Sequence, residues 1–211
     1  IGAILVPVNP NLRVHDLAYL YQDAGLKVLI SGLEYLERID QARRQAGELR
    51  HLIMIEEEAP SGMFSFDRLL ENQPAALSLE DTDNDDTAVI IYTAGTTGNP
   101  KGVMLTHYNW YSHVSGYYET VLLDSWGVSV QGPVGERAGG FKRVEERPAE
   151  VFGVNRERVS LITLPLFHGY GVFALNLEYL TGGKLVVLKR WDAEEAMSAI
   201  ESHRVTEFRG V

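Results

Sequence analysis

The feature that most constrains this 211-residue chain is an alternation of short apolar, β-branched runs with segments of helical period. Residues 4–8, 28–30, 51–55, 88–92, 102–106, 159–164 and 185–188 have the length and residue types of strands, with 88–92 expected to be buried. Between them, Val14, Leu17, Ala18, Tyr21 and Ala24 fall on one helical face with Gly25 as a stop. Leu33, Leu36, Ile39 and Ala42 make a second such face, closing near Gly47. Ser65 is placed to cap a short helix to Leu70, and residues 107–123 and 171–180 read as helices. Asp192-Ala193-Glu194-Glu195 has the form of a capping box opening a last helix that runs to about His203, and a further strand begins after Val205. Strands separated by helices are strands whose crossovers must lie on the sheet faces. The expected fold class is therefore α/β, a mostly parallel sheet with flanking helices.

Composition removes several classes of chemistry. With no cysteine there is no disulfide scaffold, thiolate zinc site, iron–sulfur cluster or cysteine nucleophile in this stretch. A net charge of −10 argues against a non-specific nucleic-acid surface, which needs clustered Lys and Arg. No apolar run approaches the roughly 20 residues of a membrane span, and a cytoplasmic location fits the cysteine-free composition. The chain opens on Ile1 inside a strand-like run and stops as another strand begins, so it reads as an excerpt of a longer protein. Residues 80–86 contain five acids and read as a solvated linker. Residues 126–158, with six glycines and eleven charges of mixed sign, break the rhythm and read as a charged surface excursion.

The densest chemical signal is Tyr92-Thr93-Ala94-Gly95-Thr96-Thr97-Gly98-Asn99-Pro100-Lys101-Gly102, a strand running into a loop of small and hydroxylated residues. Gly95 and Gly98 allow close backbone approach to a ligand. Successive amide N–H groups can converge on an anion, Thr93, Thr96 and Thr97 add hydroxyl donors, and Lys101 brings charge to phosphate oxygens. The pattern suits a polyphosphate. It is not a Walker A loop, which needs Lys directly after the second Gly followed by Ser or Thr. An ordinary Gly/Thr turn is the alternative reading of the same residues.

These residues, with Val103, Thr106 and His107, closely resemble the signature loop of the adenylate-forming (AMP-binding) superfamily, most nearly its acyl-CoA synthetases. Ala94 stands where that family more often has Ser, which removes one hydroxyl that neighbouring backbone amides can replace. Leu164-Pro165-Leu166-Phe167-His168-Gly169-Tyr170-Gly171 is similar to the family's next motif, an aromatic–His pair at a strand end. An imidazole there can hydrogen-bond a carboxylate, and Phe167 and Tyr170 can wall an apolar tail.

The resemblance implies a partial N-terminal adenylation domain: a βα portion (1–86), a phosphate-loop portion (87–123), the excursion (124–158) and an acyl-pocket portion (159–211), with the C-terminal domain absent. It implies ATP-dependent activation of a fatty or aryl carboxylic acid to an acyl-adenylate, then transfer to coenzyme A. ATP, Mg2+ and coenzyme A are the implied cofactors and co-substrates, and a homodimer is an assembly it allows. Lys101 and His168 are the implied catalytic residues. Thr93, Ala94, Gly95, Thr96, Thr97, Gly98 and Lys101 are implied for nucleotide, and Phe167, His168, Gly169 and Tyr170 for the acid. No metal ligand is implied within this stretch. Adenine, ribose and magnesium contacts and a C-terminal lysine are expected beyond it, so the 211 residues alone are expected to be inactive. Residues 94–100 are expected to be poorly ordered without nucleotide.

Two other readings remain open at this level. Gly169-Tyr170-Gly171-Val172-Phe173-Ala174 satisfies a dinucleotide fingerprint, and Lys189 and Arg190 follow at a distance that suits an NADP 2′-phosphate, giving a Rossmann-type reductase. A non-catalytic ATP-binding homologue is the other. Trp110, Tyr111, Tyr117 and Tyr118 are expected to line a core or pocket wall. His107 and His113 lack a metal-ligand context, and no Gly-x-Ser-x-Gly elbow anchors a hydrolase triad.

Overall fold

In the first unit, Ile1–Leu105, two helices pair through small and apolar residues. The computed structural model describes residues 2–47, 49–71, 73–74, 80–93, 99–117, 158–188 and 190–210, and it divides into this unit and a second, Thr106–Val211. Helix α1 (Val14–Asp23) buries Leu17, Ala18 and Tyr21 of the predicted face together with Leu20, which the spacing does not include, while Val14 and Ala24 at its two ends are half-buried. Gly25 follows with φ +57°, and Leu26 N–H closes the helix end on Tyr21 O. Strand β1 (Val28–Ser31) leads through a 3₁₀ turn to α2 (Leu36–Ala46), which ends on Gly47 at φ +68°. Ala42 and Ala46 of α2 lie against the buried face of α1, and their small side chains let the two helices approach closely.

Strand β2 (His51–Met54) lies between β1 and β3 (Phe64–Ser65), all parallel, with Val28 opposite His51 and Ile53 opposite Phe64. Ser65 Oγ accepts from Arg68 N–H at 3.4 Å and starts the short α3 (Phe66–Leu70). The acidic run 80–86 is exposed throughout, as a solvated linker should be. Strands β4 (Thr87–Thr93) and β5 (Lys101–Thr106) pair with each other.

Two expectations need correction here. Residues 4–8 do not form a strand: they contribute one parallel bridge, Leu5 to Val89, with Leu5 N–H on Ala88 O and Ile90 N–H on Leu5 O. A parallel ladder advancing from Leu5 next requires the N–H of residue 7, and Pro7 has none. Nor is β4 a buried strand: only Val89 is fully buried, at 4% exposure, and β5 beside it leaves Met104 at 66%.

The second unit is a three-layer arrangement. Thr106 and Asn109 cap α4 (His107–Tyr117) reciprocally, each side chain accepting from the other's N–H at 3.1 and 3.2 Å. The expected continuation to 123 lies outside the described residues, as do Tyr118 and residues 124–157 of the excursion. Strand β6 (Val159–Ile162) is buried at all four positions between β7 (Lys184–Val187) and β8 (Glu207–Arg209), and all three are parallel. Alternation along β6 sends Leu161 to Ala196 and Ala199 of α6 (Ala193–His203), and Ile162 to Ala174 of α5 (Gly169–Thr181). Helices therefore cover both faces, and the doubly covered strand is apolar except at Ser160. Asp192 caps α6 by accepting Glu195 N–H at 2.9 Å. The strand ends two residues before the expected 164, and α5 starts two before the expected 171, because a tight turn brings His168 to the cap position.

Candidate functional site

The phosphate-type loop hangs between β4 and β5. Its described ends come together: Thr93 closes β4, Lys101 opens β5, and Thr93 Oγ1 donates to Lys101 O at 3.4 Å. Both side chains are exposed, as a ligand contact requires. Ala94, Gly95, Thr96, Thr97 and Gly98 lie outside the described residues, and with them the expectation about loop order.

Just before Thr93, Tyr92 turns its ring onto the α1–α2 core and over Gly102. Its hydroxyl donates to Asp23 Oδ2 at 2.6 Å, and Tyr19 donates to Asp23 Oδ1 at 3.2 Å. Burial first, and then the bond to the Asp23 carboxylate, hold the Tyr92 phenol well above the ordinary tyrosine range. It therefore stays a donor at every physiological pH.

In the second unit β6 delivers buried Leu164 and then a turn over Pro165 to His168, closed by His168 N–H on Pro165 O at 3.0 Å. His168 is the N-cap of α5, with Nδ1 accepting from Tyr170 N–H at 3.5 Å. An acceptor at Nδ1 puts the neutral ring's proton on Nε2, so the exposed imidazole presents a donor beside the positive end of a 13-residue helix. An anion is the matching ligand. Phe167 and Gly169 are half-buried and Tyr170 is exposed, its ring 5.9 Å from Phe173. His113 stacks on Phe173 at 4.5 Å, and Trp110 packs on Phe173 and Leu177, so α4 supplies the aromatic wall its composition suggests.

The fingerprint glycines have another cause. Gly169, Gly171 and Ala174 lie within α5 rather than in the turn, and a Cβ on Gly171 would collide with the Pro165 carbonyl. Gly171 is what allows the tight turn to lie on the helix. The NADP-reductase reading is not supported, and Lys189 lies outside the described residues.

Sequence reasoning missed a buried ionic cluster in this unit. Arg158, assigned to the solvated excursion, is only 5% exposed and donates through Nε and a terminal nitrogen to Glu178 Oε2 at 3.1 and 3.0 Å. Ser160 Oγ donates to Glu178 Oε1 at 2.8 Å, and Arg209 donates to Glu207 Oε2 at 2.7 Å. The two arginines and two glutamates balance in charge, which is the condition for burying them. One signal was available: Glu178 is the lone charge in the apolar run from Val172 to Leu180. Gly183 follows because a Cβ there would strike the Glu178 carboxylate.

The AMP-binding enzyme family matches the chain over residues 1–211. The chain belongs to that family. A crotonobetaine/carnitine–CoA ligase of Escherichia coli is 38% identical over 211 residues, which cover 98% of this chain and 35% of that protein. The chain thus spans about a third of the length of the curated relatives it matches. Among solved structures, an anthranilate–CoA ligase in complex with anthranoyl-AMP superposes with a TM-score of 0.73 at 25% identity, covering 98% of this chain and 35% of that one. The O-succinylbenzoate–coenzyme A synthetase of Bacillus subtilis, solved with ATP and magnesium, shares the fold at a TM-score of 0.62 and 22% identity, over 95% of this chain and 32% of that one. Membership in the AMP-binding family agrees with the α/β reading and with the resemblance carried by residues 93–103 and 164–171. No helix among the described residues is long and apolar enough to cross a membrane.

Proposed function

We propose that the protein activates a carboxylic acid with ATP and passes the acyl group to coenzyme A. The observation that carries this is the junction of Thr93 with Lys101, which closes a Gly/Thr loop in a chain the AMP-binding family matches throughout. The acid's carboxylate oxygen attacks the α-phosphorus, the bond to the bridging oxygen breaks, and pyrophosphate leaves. The coenzyme A thiol then attacks the acyl carbon and AMP leaves. Lys101, Thr93, Thr96, Thr97 and the backbone around Ala94, Gly95 and Gly98 meet the charge that grows on the leaving phosphates. His168 donates from Nε2 to the carboxylate at the start of α5, orienting it for attack, while Phe167, Gly169 and Tyr170 shape the acyl side.

Among the described residues no group of three or more His, Asp or Glu converges on a point. The roles proposed for the residues of this chain are phosphate and carboxylate contacts. The acid is assigned to the fatty or aryl class, and the location to the cytoplasm.

The test is carboxylate-dependent exchange of labelled pyrophosphate into ATP, run on the full-length protein with fatty, aryl and amino acids together with carnitine and crotonobetaine. Exchange that needs one acid class and falls about a hundredfold in Lys101→Ala is the expected result. A folded protein that binds ATP yet exchanges with no acid would instead be a binding homologue.

A further inference from the structure

We propose that Tyr92 and Asp23 are positioning residues for Thr93 and Lys101: together they brace the strand ends that carry these two residues against α1 and so set the affinity for ATP. This rests on the function proposed above. Thr93 and Lys101, both proposed above to meet phosphate oxygens, close and open the two strands at the ends of the loop. Tyr92 is placed to hold both. Its backbone leads directly into Thr93, where the loop departs. Its ring lies over the returning strand: a Cβ on Gly102 would sit 3.1 Å from Tyr92 Cζ, 3.3 Å from its hydroxyl oxygen and 2.9 Å from Ile90 Cγ2. Gly102 is the immediate neighbour of Lys101. One side chain thus touches the outgoing strand through its own backbone and the returning strand through its ring.

The ring is itself held from outside the hairpin. Its hydroxyl reaches Asp23, 69 residues earlier in the chain, in a 2.6 Å bond. Asp23 is the last residue of α1, a helix anchored by the burial of Leu17, Ala18, Leu20 and Tyr21, and Tyr19 holds its second carboxylate oxygen. The chain of contact therefore runs from a buried helix through Asp23 and Tyr92 to Gly102 and Lys101. A loop whose ends are fixed before the nucleotide arrives loses less freedom on binding, which strengthens binding without acting on the bond being broken. A surface tyrosine that merely stabilised the fold would leave ATP affinity unchanged.

The experiment measures ATP binding by titration calorimetry and KM for ATP in pyrophosphate exchange, in the full-length protein. Asp23→Ala and Tyr92→Phe are each expected to weaken ATP binding five- to tenfold, about the worth of one hydrogen bond, with kcat within twofold. The double variant is expected to be no weaker than either single, because both remove the same contact. Asp23→Asn keeps an acceptor for the Tyr92 hydroxyl and is expected to bind ATP within twofold of the parent. Gly102→Ala, whose methyl would crowd both Ile90 and the Tyr92 ring, is expected to fall with Asp23→Ala. If Asp23→Ala does not fold, Tyr92→Phe and Asp23→Asn carry the comparison.

The brace is overturned if the single variants keep ATP affinity within twofold while Lys101→Ala still lowers exchange about a hundredfold, or if their effects multiply in the double. That outcome leaves the proposed function standing. A parent protein that neither binds ATP nor exchanges removes the function and the brace together.

Discussion

The strand leading to the loop and the strand leading to His168 are held in opposite ways. Strand β6 is buried at every position, flanked by two parallel neighbours and covered on both faces, with charge-balanced Arg158 and Glu178 beside it. Strand β4 has one fully buried residue, Val89, and ends on an exposed hairpin whose tyrosine is tied to α1 by neutral donors on one carboxylate. A strand set in a core transmits its position to the next residue through packing, so the turn to His168 needs only the Gly171 clearance. A half-exposed strand lacks that support and depends on particular hydrogen bonds. The histidine's placement should therefore fail with the core, and the loop's with single side chains.

Glu178→Ala is the hardest test of this contrast. It leaves Arg158 buried with Glu207 Oε1 still 3.9 Å from its Nε, and the loss expected in urea unfolding is about 3 kcal/mol, the low end for a broken buried pair. A cost below about 1 kcal/mol would mean that the ions are incidental to the second unit. Gly171→Ala forces the Pro165 turn off α5 and is expected to cost about 1–3 kcal/mol. It should also weaken the carboxylic acid's KM more than that of ATP. An equal effect on both substrates would blur the separation between the two strand ends. Asp192→Ala removes the α6 cap for about 1 kcal/mol, readable as a lowered urea midpoint.

A gentler decline is expected in alkali. Burial pushes Tyr21 up to about 12. A phenol raised in the folded state contributes stability fully below its unfolded value near 10, and that contribution is lost as pH rises through the folded value. Unfolding free energy of the wild type should fall between pH 10 and 12, and Tyr21→Phe should flatten the profile. A profile identical in both proteins would remove this tyrosine from the account. Smallest of all, Lys101→Ala should shift stability by no more than about 0.5 kcal/mol while exchange falls about a hundredfold, since an exposed side chain at a loop end carries little of the fold. Marked destabilisation would place Lys101 among the structural residues of the hairpin.

Much of this was legible along the chain, and for local reasons. The faces of α1 and α2, their stops at Gly25 and Gly47, and the caps at Ser65 and Asp192 involve residues within one or two turns of each other, so spacing reveals them. The placement of Thr93 and Lys101 at the two ends of one loop, and of His168 at a helix start, follows from their neighbours too, while their phosphate and carboxylate roles remain part of the proposal. The errors arose where a distant partner decided the outcome. Residues 4–8 have strand composition, yet Pro7 halts their pairing with β4 after a single bridge. Arg158 looked like one charge among many in 126–158, because its carboxylate lies 20 residues away on another element.

The sequence by itself determined the faces and caps of several helices, the α/β class with parallel strands, and which residues are candidates for phosphate and carboxylate contact. These follow from periodicity, caps and side-chain type, all of which act over short separations. Only the tertiary structure decided that Tyr92 answers to Asp23 and Gly102, and that Glu178 is matched by Arg158. A hydrogen bond between residues 69 positions apart leaves no trace in local pattern, since the chain must first fold to bring its two ends within 2.6 Å.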